Sequence, residues 1–426
     1  MNKQWIRHTV VTSLVVVLLG LASSGLAKTH DDQDEDGARP EKTLYIWAGD
    51  QDRMRPDFLA VIDFNEHSRH YGRVLRTVSL PPPGNVGNEP HHCHLSANKN
   101  ILACGGLLSL LSGQNGIFFF DTSNARHPRF LFSTSAPNSS ITDDFLPLPK
   151  GGFLVTQMGS ATGGAPGRVA EFNRRLRLVA EHPANPPLDG FNPHGISARF
   201  DRNLLVTSDF INPVTTLNVW PGDVELRGSL RFWNLKKRKI TRTVFLPEAL
   251  GSMDVKLIPG DPHGRAVTAN MFSGLVYTVD PTDGSVVQSF DGEDIVPHIE
   301  VPVQGGMIHL LEMPKSGDRL IFAMFQAGRV GMLDISNPNA FVQKAIVNLG
   351  MDAGPHDIVL TEDDSRLVVT DYFLNEDDFG KIHFEGDHKV HVIQVTHDTL
   401  TLDTRFDLDF NTVFEYPARP HGIAMK

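Results

Sequence analysis

A hairpin-sized unit returns again and again along this 426-residue chain, and a repeat of that size leaves few folds open. Its clearest copy is residues 354–373, GPHDIVLTEDDSRLVVTDYF. A histidine opens a short run of alternating apolar residues, a polar turn follows, and a second β-rich run, LVVT, comes back. The same grammar is found at 192–209 behind His194, at 306–325 behind His309, and at 89–105 behind His91 or His92. Residues 419–426, RPHGIAMK, are the opening half of the unit, led by His421. Two further copies put an acid in the leading place: Asp143 or Asp144 before FLPLPKGGFLVT, and Asp254 before VKLIPGDPHGRAVT.

The seven leading residues stand about 47–65 positions apart. That is the length of a four-stranded propeller blade with loops of varying size. A second strand pair follows each hairpin, as in GIFFFDT with RFLFST and SLRFWNL with TRTVFLP. We therefore expect an all-β fold, one seven-bladed β-propeller over 43–426. The last blade has to be assembled from both ends of that range. HGIAM supplies its inner strand and TLYIWAG, DFLAVIDF and RVLRTVSL the other three, so that no sheet edge is left open at the seam.

Residues 1–27 read as an export signal: Lys3 and Arg7, an apolar core over 10–22, and the small-residue site Gly25-Leu26-Ala27. The rival reading is a membrane anchor, for which the apolar run is short. Residues 28–42 read as a disordered acidic leader. The expected location is periplasmic or secreted, with no membrane span after signal cleavage. A formal charge of −11, from 39 basic and 50 acidic residues, argues against nucleic acid as a partner. No phosphate loop, Gly-x-Ser-x-Gly elbow or Cys-x-x-Cys pair is present. Cys93 and Cys104 face each other if the hairpin turns at Asn98-Lys99. A disulfide, two buried thiols and a cysteine metal ligand all remain open.

In a propeller the inner strands line a channel, so the leading residues converge. Five imidazoles and two carboxylates in one channel are unfavourable to bury without a cation or ordered water. The expectation is a metal centre, with a hydrogen-bonded wet pore or an anion site as the alternative. A histidine-rich donor set suits copper, zinc, iron or another divalent metal. Met253, Met307 and Met324 lie beside the leading positions and are either axial sulfur donors or packing. His298 is a candidate entrance residue, while His67, His70, His263 and His397 read as surface residues. Loops 105–116, 159–167 and 374–386 are the candidates for covering the channel mouth.

HHCHLS at 91–96, GSLRFWNLKKRKITRTVFLPE at 228–248, GRVGMLDISNPNAF at 328–341 and the closing His421 resemble the selenium-binding protein family. Its secreted bacterial members include copper-dependent methanethiol oxidases. The resemblance implies copper held by channel histidines, and oxidation of methanethiol by O2 and water to formaldehyde, hydrogen sulfide and hydrogen peroxide. The family's histidine pair matches His91-His92 and its C-terminal histidine matches His421. Another family histidine falls at Asp143 or Asp144 here, and His194, His309 and His356 stand where the better-known members lack histidine. The family's selenium-binding cysteine motif has no clear equivalent around Cys93.

The expected metal ligands are thus His91, His92 and His421, joined by some of His194, His309 and His356. Asp143, Asp144 or Asp254 would orient them or accept a substrate proton. The expected substrates are a small thiol and O2, and a protein partner is not specified. The competing readings are a divalent-metal hydrolase such as a lactonase and a non-catalytic copper-binding or interaction module.

Overall fold

The computed structural model describes residues 40–217, 224–297, 301, 304–376 and 382–426. The expected export signal over 1–27 and the expected leader up to residue 39 lie outside the described residues, as does His298.

Seven antiparallel sheets form the blades of a propeller, six four-stranded and one with a fifth short strand. Their inner strands, in chain order, are Pro90–Leu95, Ser139–Pro147, Pro193–Arg199, Ser252–Leu257, Ile308–Glu312, Pro355–Leu360 and Ala418–Met425. Each touches the inner strands of its two neighbours, and the last touches the first. The second and third strands of each blade are flanked by adjacent blades, so they bury both faces. That is why runs such as IFFF at the start of the strand Ile117–Asp121 are apolar at successive positions rather than alternating. Phe119 of that strand meets Phe153 and Phe172 of the next blade at ring distances of 6.2 and 5.6 Å. The outer strand of the same blade, Arg129–Thr134, has no buried residue.

The seventh blade joins the two ends of the ring. Ala418–Met425 pairs with Thr43–Asp50, which pairs with Phe58–Asp63, which pairs with Val74–Ser79. The backbone N–H groups of Lys42 and Thr43 donate to the Lys426 carbonyl at 2.9 and 2.8 Å. Glu41 is buried, and its carboxylate accepts from the Glu362 N–H at 2.9 Å. The final residues of the expected acidic leader are therefore part of the fold.

Cys93 and Cys104 are paired in register and form a disulfide, with Cα atoms 4.2 Å apart. This excludes thiolate ligation by either of them in the folded, oxidised chain. In the sixth blade the second strand, Arg366–Asp371, and the third, Lys389–Val395, are separated by an insertion carrying a small hairpin of Phe373–Glu376 and Ile382–Glu385.

Candidate metal centre in the channel

Every inner strand breaks its pairing register at one place. The shifts fall between Pro90 and Cys93, Thr142 and Phe145, Pro193 and Ile196, Ser252 and Val255, Ile308 and Leu311, and Pro355 and Asp357. In the seventh blade the shift leaves His421 unpaired between Pro420 and Gly422. A bulge of this kind re-aims a side chain that regular alternation would send elsewhere. The residues in corresponding positions are His91, Asp143, His194, Met253, His309, His356 and His421. Hydroxyl groups at the ends of the returning strands fix these bulges across blade boundaries. Thr156 donates to the His194 carbonyl at 2.6 Å, Ser208 to the Met253 carbonyl at 3.0 Å and Thr370 to the His421 carbonyl at 2.9 Å. In blades two and six the threonine that ends the LVVT-type run is thus a fastener for the next blade, and in blade three the serine after it does the same.

The imidazoles and one carboxylate meet in a buried cluster. Asp143 Oδ2 lies 3.1 Å from both His91 Nε2 and His194 Nε2, and Asp143 Oδ1 lies 3.2 Å from His92 Nδ1. The His91 ring centroid is 4.2 Å from those of His92 and His421, and His421 is 4.7 Å from His356. His356 Nδ1 is 2.9 Å from His309 Nε2, while His309 Nδ1 donates to the Met307 carbonyl at 3.0 Å. Donor atoms of His91, His92 and His421, and separately those of His91, Asp143 and His194, lie within 4.8 Å of one another.

Burial drives most of these imidazoles toward the neutral, ligating form. His194 and His309 are pushed down to about 4. His91 is lowered by burial and by the neighbouring His92, and His356 and His421 fall well below the usual histidine range. His92 moves the other way. Burial opposes its charge, but the Asp143 carboxylate overcomes that and raises it to about 9. Asp143 itself, despite the burial that works against its charge, is held well below the ordinary carboxylate range by His194 and His91.

A bound cation fits what these side chains leave undone. Both ring nitrogens of His421, Nδ1 of His91 and His194 and Nε2 of His92 are buried without a hydrogen bond. Each costs roughly 1–3 kcal/mol to leave so. One ion drawing on several of them removes that cost. The set is nitrogen-rich with a single carboxylate, the pattern of a borderline transition ion rather than magnesium or calcium.

Asp144 and Asp254 sit one residue beyond the bulge positions and do not join the cluster. Asp144 Oδ2 accepts from the Ile196 N–H at 3.2 Å, and Asp254 Oδ2 from the Leu311 N–H at 3.0 Å. Asp357, which sequence reasoning missed, does the same for the Ile423 N–H at 3.1 Å. An acid directly after the leading residue thus ties blade two to three, four to five and six to seven. The recurring D-D-F, M-D-V and H-D-I was the available signal. Met253, rather than Asp254, holds the register position in blade four; it packs in an apolar cluster with Phe210 and Met271, whereas Met324 packs in a second one. His67, His263 and His397 are exposed.

Two layers enclose the cluster. On one side a cavity of about 30 Å³ is lined by His92, His194, Asp144, Asp254, Glu312 and Asp357, with Lys256 among them. Burial raises Glu312 to about 7 and lifts Asp357 as well. Next to His421 lies the Tyr372 ring, at 5.3 Å. Its hydroxyl donates to Glu89, whose Oε2 accepts from Arg419 Nη2 at 2.8 Å. Sequence reasoning also missed this buried triad, whose members are some 283 and 330 positions apart.

Comparison with known proteins places this architecture. The profile of the 56kDa selenium binding protein family matches residues 31–426. The chain is 24% identical to selenium-binding protein 2 of Arabidopsis thaliana, over 90% of each chain. Among solved structures, the hypothetical selenium-binding protein from Sulfolobus tokodaii has the same fold, with a TM-score of 0.75 and 18% identity over 91% of this chain and 94% of that one. A putative 6-phosphogluconolactonase from Bacteroides uniformis aligns with a TM-score of 0.58 at 11% identity, over 91% of this chain and all of that one, sharing the propeller alone. With a profile match running from the acidic leader to the closing strand, the chain belongs to the 56kDa selenium binding protein family.

Proposed function

We propose that the channel holds copper and that the protein oxidises a small thiol such as methanethiol with O2. The observation that carries this reading is the buried cluster of imidazoles beside Asp143, in which His91, His92, His194 and His421 each keep a ring nitrogen without a hydrogen bond. His91, His92 and His421 would hold the ion, joined by some of His194, His309 and His356; of these His194 shares a donor group with His91 and Asp143, while His309 is engaged with the Met307 carbonyl and His356. When bound, copper supplies a one-electron couple and affinity for a soft sulfur donor. The thiol class itself rests on the family resemblance.

The chain's own residues do the remaining work. Asp143 orients His91 and His194 and holds the charge of His92. Asp144, Asp254 and Asp357 are engaged in holding blades together, so they position the ring. Glu312, raised to about 7 at the adjoining cavity, is suited to take the proton a thiol gives up near neutral pH. The apolar stretch at 10–22 and the Cys93–Cys104 disulfide support a periplasmic or secreted location.

Copper titration followed by electron spin resonance, together with oxygen uptake in the presence of methanethiol, tests this reading. The expected result is a nitrogen-coordinated Cu(II) signal and thiol-dependent uptake, both lost in a His91→Ala/His421→Ala variant. An unchanged signal in that variant would overturn the ligand assignment. Bound copper with no turnover of thiols would leave a binding module, and ester hydrolysis would favour the hydrolase.

A further inference from the structure

Blades three and six carry the same acid near or at the end of the second strand, Asp209 in Leu204–Ile211 and Asp371 in Arg366–Asp371, but treat it differently. In blade three, Asp209 is buried and fully engaged. Its Oδ2 accepts from Arg231 Nε and Ser229 Oγ, both at 2.7 Å, and its Oδ1 from the Asn192 N–H at 2.9 Å. Register places Arg231 opposite Thr207, two residues before Asp209. In blade six the corresponding acid is Asp371, and the residue opposite Val369, two before it, is His391. An arginine fork is replaced by an imidazole.

That exchange leaves Asp371 without the partners Asp209 has. It is fully buried and neither carboxylate oxygen makes a hydrogen bond. His391 Nε2 lies 2.7 Å from Asp371 Oδ2 yet is not aligned as a donor to it, since that nitrogen too makes no hydrogen bond. A second carboxylate, Asp387, closes the group: ligand atoms of Asp371, Asp387 and His391 all lie within 4.8 Å of one another. Asp387 has its own partner in Lys389, whose Nζ donates to Oδ2 at 2.8 Å and whose N–H donates to Oδ1 at 3.1 Å, so the unanswered groups are both oxygens of the buried Asp371 and Nε2 of His391. The Lys389 ammonium offsets the charge of Asp387 from one side, but between Asp371 and the imidazole the two carboxylates still repel each other unless a proton or a metal ion lies there.

We propose that Asp371, Asp387 and His391 form a second metal site, separate from the channel, that takes a borderline divalent ion such as zinc. Two oxygens and one imidazole nitrogen are ligands of that class. Asp387 and His391 retain side-chain exposures of 23% and 15%, which leaves an entry path and room for water to complete the coordination. The three residues stand at the two ends of the insertion in blade six. Asp371 ends the strand before it, and Asp387 and His391 flank the start of the strand after it. The site is a clasp at the base of that insertion, and Tyr372, the residue next to Asp371, is the one that lies over His421.

The test uses full-length purified protein, stripped with a chelator and titrated with Zn2+ alone, stoichiometry being read by elemental analysis after gel filtration. His391→Arg rebuilds the ion pair of blade three and is expected to fold with unchanged or higher thermal stability. The wild type should hold about two zinc ions per chain and His391→Arg about one, while Asp387→Asn should weaken one of the two by at least about tenfold. If the channel reading fails and this one holds, the wild type binds one ion and His391→Arg none. Equal stoichiometry in wild type and His391→Arg overturns the proposal, and would mean that a shared proton reconciles the two acids.

Discussion

Asp143 Oδ2 lies 3.1 Å from His194 Nε2 across the boundary between the second and third blades, and the same oxygen lies equally close to His91 of the first. One carboxylate thereby fixes imidazoles from two other blades. Asp143→Ala should reduce metal affinity by about 10–100-fold, the usual effect of removing a group that orients ligands. It should also bring His92 back toward its ordinary titration range. Competition with a chromophoric chelator reads the affinity, and the imidazole proton resonances of the metal-free protein read the titration.

The metal-free protein should be least tolerant of acid. His194 and His309 titrate at about 4 when folded, against about 6.5 when unfolded. Between those values the unfolded chain binds more protons, so stability falls as pH drops from about 6.5 to 4. His92 has the opposite sign. Raised to about 9, it contributes stability that is complete below about 6.5 and lost as pH rises through 9. Urea midpoints of the stripped protein at pH 5, 6.5 and 9 should peak at the middle value, and loading the metal should displace a proton near pH 7.

The disulfide should stabilise the first blade without serving the ion. Cys93 and Cys104 are 11 residues apart, a short loop for which cross-linking contributes about 2–3 kcal/mol. Cys93→Ala/Cys104→Ala should lower the urea midpoint by a corresponding amount and retain the channel metal. Loss of the metal at full retention of fold would assign sulfur a role in ligation after all.

Arg419 and Glu89 form a pair buried to 1% exposure on each side. Arg419→Ala leaves the buried Glu89 charge with only Tyr372 and the more distant Arg53, 3.9 Å away, and should cost about 3 kcal/mol. Arg419→Met combined with Glu89→Gln should recover much of that loss, and thermal unfolding of the two variants side by side gives the comparison.

The architecture was legible in the sequence because blade formation is a local matter: apolar alternation, polar turns and a period repeated until the ring closes. The histidines were legible for the same reason, each standing at a fixed place in the repeat. Which of two neighbouring residues faces the cluster was not. At 143/144 and at 253/254 the answer depends on a bulge, and a bulge is a property of how two strands register, which composition and alternation do not encode. The same ignorance hid Asp357, whose role is to hold a backbone N–H of the following blade. The Glu89–Tyr372–Arg419 triad was out of reach altogether, since nothing in one hairpin announces a partner more than two hundred positions away.

The strand Ala418–Met425 both completes the seventh blade and delivers His421. In a chain emerging from the ribosome this segment follows the other six blades, so until it docks the nascent protein has neither a finished ring nor a complete set of imidazoles. Topological closure and ion capture thus become a single late event, and a truncated product would be deprived of both together.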